Sequence, residues 1–272
     1  MTKPRRPVCV WCLKEGRKSK EHIVPEVLGC PTGFVLNRGE VCADCNSTVL
    51  SSLDGVLGES FDFLRVWARV PGKKQKPPRM TGRTNLRASV TRRGHVDLHL
   101  NLEQHAVQTD AFGAIPPASG SHRDVAGSFE RIGALARTQM NFTIGGHPDF
   151  SRAIHKVAFE WLVRLTSWEQ ALESRFNPVR EYVVRGLGQR EVLVLVPQDW
   201  RYYHEFPNHI WHDEEGSPCV DFILCGLPFL VTLGSDQRAI ERIKQEVFRQ
   251  YGASGWAYLP VTVESREANA EH

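Results

Sequence analysis

The chain has 272 residues, of which 41% are hydrophobic and 24% charged, the balance of an ordinary soluble globular protein with room for one large domain or two modest ones. Its longest apolar run, Phe222 to Leu233, is interrupted by Gly226 and Pro228 and falls short of the roughly 20 residues needed to cross a bilayer, so no membrane partner is expected. Formal net charge is only +3, but residues 1–93 hold 18 Lys and Arg against 8 Asp and Glu, while the remainder holds 16 against 23. A basic first half points to a phosphate-bearing partner, and the bland alternative is a solvated basic surface.

Residues 1–8 form a short basic arm. Cys9-Val10-Trp11-Cys12 and Cys42-Ala43-Asp44-Cys45 are two C-x-x-C knuckles. Each knuckle aims two thiolates at one ion, and two of them make a closed four-thiolate site suited to structural zinc. The competing readings are disulfides or a redox motif. The lack of a signal peptide ahead of the cysteines favours a reducing cytoplasmic setting and argues against both. Cys30, Cys219 and Cys225 are left over and are expected as free thiols. Trp11 is expected to pack beside the metal site. Lys14, Arg17, Lys18 and Lys20 are candidate contacts to a nucleic-acid backbone. Short strands are predicted over 19–25 and 38–42, a helix from Ala43 or Asp44, a break at Asp54-Gly55 and a second helix over 56–69. Residues 71–79, Pro-Gly-Lys-Lys-Gln-Lys-Pro-Pro-Arg, read as a basic Pro-rich linker between domains. Its Lys73, Lys74 and Lys76 are further candidates for gripping nucleic acid.

Beyond the linker the pattern turns to alternation. A hairpin is predicted over 86–102, with His95, Asp97, His99 and Asn101 on its polar face, and a loop over 106–125. A helix is predicted from Phe150 to Leu172, with Ile154, Val157, Ala158, Trp161, Leu162, Leu165 and Trp168 on one stripe. Strands follow at 181–186 and 191–196. His204, His209 and His212-Asp213 match no ligand spacing and read as a surface loop. A strand pair over 219–233, an amphipathic helix over 236–251, a last strand over 256–263 and a polar tail over 265–272 complete the chain.

Between the knuckles stands Glu21-His22-Ile23-Val24-Pro25, with Asn37 ahead of Cys42 and Asn46 directly after Cys45. In order and spacing these residues resemble the HNH, or ββα-metal, endonucleases, in the form with two C-x-x-C knuckles and an H-N-N motif. The resemblance covers about residues 5–70. It implies a small zinc-stabilised ββα-metal module over 1–70; the strand and helix patterns beyond the linker read as a larger mixed α+β domain with antiparallel strands over 80–264, for target recognition, dimerisation or regulation, so the chain is expected to be α+β. The resemblance also implies a metal-dependent endonuclease acting on double-stranded DNA, with His22 as general base, Glu21 and Asn46 as ligands of a catalytic Mg²⁺ or Mn²⁺, and Asn37 orienting His22. Neutral histidine suits a base near pH 7, and carboxylate and amide oxygens are hard ligands. Glu21 stands where many members have Asp, and Asn46 where His is commoner. Restriction or phage defence would fit, as would a homodimer or a defence-complex partner. The competing class is a non-catalytic, zinc-stabilised DNA-binding regulator.

Overall fold

The computed structural model describes residues 7–72, 76–80, 86–90, 96–100, 112–115, 126–132, 135–141, 144, 146–196, 200–214, 216–235, 237–255 and 257–258. Helices and antiparallel sheets occur together, which makes the chain α+β.

Strand β1 (Glu21–His22) pairs antiparallel with β2 (Val35–Leu36), Glu21 facing Leu36 and His22 facing Val35. The second strand thus lies earlier than the expected 38–42. That segment instead runs beside residues 18 and 19, through a Lys18–Cys42 bridge and a bond from Ser19 N–H to the Val41 carbonyl. A helical run over 43–60 follows in three parts: α1 (Ala43–Cys45), the π-helical turn Asn46–Leu50, and α2 (Ser51–Ser60). Asp54-Gly55 does not interrupt it. Leu53, Val56 and Leu57 are buried along this stretch, and their burial outweighs the roughly 1 kcal/mol that a helical glycine costs. Helix α3 (Asp62–Trp67) comes next.

Two three-stranded antiparallel sheets follow. The first joins β3 (Arg79–Met80), β4 (Leu86–Val90) and β5 (Val96–Leu100), and the second joins β6 (Phe112–Ile115), β7 (Ala126–Ile132) and β8 (Leu135–Asn141). The β4–β5 hairpin matches the alternation in the sequence, whereas β6 falls inside the expected loop over 106–125. His95, Asn101, Lys73, Lys74 and the tail over 265–272 lie outside the described residues.

Helix α4 (Phe150–Leu165) is buried on nearly every side. It ends earlier than the expected Leu172, because Ser167 caps a new helix, α5 (Trp168–Ala171), and exchanges hydrogen bonds with Gln170 in a capping box. Helix α6 (Asn177–Arg185) occupies the stretch read as a strand at 181–186. Pro178 sits in its first turn and Gly186, at φ 71°, closes it in the left-handed region, the asymmetry that favours a helix here. The last sheet has the order β10 (Trp211–His212), β11 (Pro218–Leu224), β12 (Leu227–Thr232), β9 (Leu193–Val196), β13 (Ala257–Tyr258), antiparallel throughout. Helix α7 (Arg238–Gly255) places Ala239 and Ile240 in a core with Leu193, Cys219 and Leu230.

The chain forms two compact units that do not follow sequence order. One comprises Met1–Glu26, Cys30–Leu57 and Pro148–His272, the other Val27–Gly29 and Gly58–His147. The expected boundary at 71–79 lies inside the second unit. In the first unit, aromatic contacts join the N-terminal segment to the C-terminal half. Trp11 meets Phe159 edge-on at 4.9 Å, and Phe34 stacks on Trp161 at 5.0 Å. Phe206 continues the stack from Trp161 to Phe222, and Phe222 continues it to Phe229. In the second unit, the Arg65 guanidinium donates to the carbonyls of Val27 and Arg79.

Candidate functional site

The four knuckle cysteines converge. The Sγ atoms of Cys9, Cys12, Cys42 and Cys45 all lie within 4.8 Å of one another, and Cys12 and Cys42 are 3.8 Å apart. A tetrahedral ion with sulfur bonds of about 2.3 Å needs sulfur–sulfur edges of about 3.8 Å. Backbone geometry sets this up: Cys42 caps α1, its Sγ accepting from Cys45 N–H. Gly16 leaves room for the fold-back, since a Cβ there would lie 2.6 Å from the Cys42 Cβ. A hydrogen bond from the Cys45 thiol lowers Cys9 to about 5. Burial raises Cys12 to about 11, and the bond to Cys9, with burial, raises Cys45 further still. One thiol therefore ionises easily and its neighbours resist, which is the behaviour of a thiol cluster that a cation would convert to thiolates. The group can hold a metal ion such as zinc, and it is the only such group of His, Cys, Asp and Glu among the described residues.

Beside this cluster, the helical run begins against the strand that carries His22. The Asn46 amide nitrogen donates to the Lys20 carbonyl at 2.8 Å and to Ser19 Oγ at 3.3 Å. Asn46 opens the π-helical turn, a widened geometry that recurs at functional sites. With its nitrogen committed to the strand, its Oδ1 is left as the available hard donor. His22 is half-buried, with Nε2 3.3 Å from Glu26 Oε1. Burial lowers its pKa, against the opposing effect of Glu26, so the imidazole is neutral at pH 7. Asn37 is exposed, one residue past β2, and among the described residues no hydrogen bond joins it to His22. The His22 ring instead meets Glu26, four residues further along the chain.

Glu21 is 2% exposed, and its Oε1 lies 2.6 Å from Lys156 Nζ. The same ammonium lies 2.8 Å from Asp54 Oδ1, 3.2 Å from Glu160 Oε2 and 3.0 Å from the His22 carbonyl. Lys156 and Glu160 are fully buried one turn apart on α4. Glu160 also accepts from Trp11 Nε1 at 3.2 Å. Burial alone would lower Lys156, but Glu160, Asp54 and Glu21 outweigh it and hold the ammonium charged. Burial raises Glu160 well above the carboxylate range and raises Glu21 as well. Three carboxyls thus share this one ammonium, which holds one Glu21 oxygen.

Spacing within 9–46 could not reveal Lys156, Glu160 or Asp54. The available signal was two opposite charges four residues apart inside an otherwise apolar helix stripe. Lys14, Arg17, Lys18, Lys20 and Lys76 are exposed, as backbone-contact candidates must be. Trp11 is buried, as expected. In the stretch read as a surface loop, His204 Nδ1 accepts from Cys225 N–H. Among the described residues no helix is long and apolar enough to cross a membrane. Comparison with protein-family models, curated proteins and solved structures found no match.

Proposed function

We propose that this chain is a metal-dependent endonuclease of the HNH type that hydrolyses DNA phosphodiester bonds, with a four-cysteine structural zinc site. The observation that carries this reading is the Asn46–Lys20 bond. It ties the residue that opens the π-helical turn to the residue just before the Glu21-His22 strand, which supports reading Glu21, His22 and Asn46 as one motif.

In this reading the other ring nitrogen of His22, Nδ1, takes a proton from the attacking water, and Glu26, 3.3 Å from Nε2, steadies the ring and favours the imidazolium that forms. Glu21 and Asn46 Oδ1 would hold Mg²⁺ or Mn²⁺. When bound, such an ion stabilises charge on the scissile phosphate and the leaving oxygen. The zinc site is closed and serves folding alone. Lys14, Arg17, Lys18 and Lys20, with Lys76, would neutralise backbone phosphates of double-stranded DNA, giving salt-dependent binding without base readout.

The second reading, a non-catalytic zinc-stabilised DNA-binding regulator, is favoured by one observation: the Lys156 ammonium neutralises Glu21. His22→Ala separates the two. In one reaction with duplex DNA, Mg²⁺ and the zinc-loaded protein, the nuclease loses cleavage and keeps its gel shift. If the wild type shifts the DNA and never cuts it with either metal, the regulator reading replaces this one.

A further inference from the structure

We infer that the cavity between the first knuckle and helix α6 is a binding site for an organic phosphate of nucleotide size. The inference stands apart from the nuclease reading and needs no catalytic metal. The cavity has a volume of about 370 Å³, within the roughly 300–1,000 Å³ of small-molecule sites. Both of its walls belong to the first compact unit. Residues 11–14 form one wall, and the face of α6 that carries Arg180, Glu181, Val184 and Arg185 forms the other. Arg180 clamps the walls together. Its buried guanidinium donates to the carbonyls of Val10, Ala171 and Glu173 and to Asn177 Oδ1. Trp168 adds a bond from Nε1 to the Val8 carbonyl at 3.0 Å. The cavity is therefore held open by fixed elements.

Arg180 is committed to that clamp, which leaves Lys14 and Arg185 as the cations available to a ligand. Both are exposed, one on each wall, and among the described residues neither has an ion-pair partner. Glu181 is the one acid of the lining, so the cavity carries an excess of positive charge that an anion offsets. A phosphate carries about −1.5 to −2 near pH 7, enough to engage both cations, and Arg and Lys are the side chains that hold phosphate best. The apolar part of the lining comes from Trp11, Val184 and Leu13, whose side chain is 45% exposed. Two free cations beside an apolar surface suit a ligand with a phosphate at one end and a flat, weakly polar body at the other, which is the chemistry of a nucleotide.

Calorimetric titration of the zinc-loaded full chain with deoxyadenosine monophosphate, with a short single-stranded oligonucleotide and with inorganic phosphate tests this. The mononucleotide or the oligonucleotide is expected to bind more tightly than inorganic phosphate, and which of them binds identifies the nucleotide as free or as part of a strand. Lys14→Ala and Arg185→Ala should each weaken that binding by roughly tenfold or more, the effect of one lost hydrogen bond to a charged group, and Glu181→Gln should tighten it. Val184→Phe keeps every charge, fills the cavity and should weaken binding at least as much. Arg164→Ala, which removes an exposed arginine outside the cavity, should bind as the wild type does. Zinc content and a cooperative melt identify the folded variants. No binding by the wild type, or binding that Lys14→Ala, Arg185→Ala and Val184→Phe leave unchanged, overturns the inference. So does an effect confined to zinc content, which would assign the two cations to offsetting the four thiolates. Plasmid cleavage is not read in this experiment, so its failure and that of the nuclease reading are distinct.

Discussion

Burial lowers the His22 imidazole below its ordinary 6.5, ahead of the opposing pull of Glu26. A base is active when unprotonated, so the rate should hold as pH falls past 6.5 and drop only through the lowered pKa. We expect a cleavage profile that is flat near neutrality, with its acid limb below pH 6.5, and an acid limb above that value would contradict the environment described for His22. At this scale the sequence was informative where chemistry is local. The four thiols are legible because turn geometry and the two knuckles fix their spacing over a few dozen residues. Asn37 shows the limit. Its assignment rested on spacing ahead of Cys42 alone, and the strand forms at Val35–Leu36, with Asn37 exposed just beyond its end.

Helix α4 carries the polar groups that the N-terminal motif needs but cannot supply. Its apolar stripe was plain from periodicity, while the polar members buried inside it were not. His155 is one of these. Its Nδ1–H donates to the Ser151 carbonyl at 2.8 Å, and its ring meets Tyr182 edge-on. Burial, with Arg190 adding to it, lowers this histidine to about 3. The folded state therefore resists a proton that the unfolded chain accepts near pH 6.5. The resulting stability is fully present above pH 6.5 and is lost as pH falls towards the lowered pKa. Urea unfolding across a pH series should show stability falling by about 1.4 kcal/mol per pH unit below 6.5 for this one group, with His22 adding in the same direction. His155→Phe should flatten that slope, and a slope unchanged in the variant would contradict the account. Helix α6 makes a complementary point. Its Val- and Tyr-containing sequence reads as strand by propensity, yet Pro178 and Gly186 mark both ends of a helix, and the punctuation proved the better guide.

The division of the chain is where sequence order misled most. A Pro-rich basic stretch signals an exposed segment, and exposure alone does not say which parts of the chain pack together. Here the chain leaves the first unit after Leu57 and returns at Pro148. The Lys156–His22 contact spans 134 residues and the Trp168–Val8 contact spans 160, separations that no local pattern encodes. The charge asymmetry changes meaning in consequence. The basic start and much of the acidic remainder fold as one body, so the contrast does not oppose a basic domain to an acidic one. Trp11, Phe34 and Glu21 all find their partners on α4. A fragment of residues 1–70 should therefore bind zinc without a cooperative thermal transition, whereas the full chain melts cooperatively. A fragment with a sharp transition and native-like melting temperature would show that the motif folds alone.

The central claim is that Glu21, His22 and Asn46 form a metal-dependent phosphodiesterase site. Supercoiled plasmid incubated with the full-length zinc-loaded protein, across a series of added Mg²⁺ or Mn²⁺ and with an EDTA control, tests it most directly. The account predicts nicked or linear product that appears with added metal, vanishes with EDTA and is reduced by roughly 10²–10⁴-fold in His22→Ala, the range for loss of a general base. Plasmid that stays supercoiled at every metal concentration, or product that forms equally in the His22→Ala variant, would contradict it.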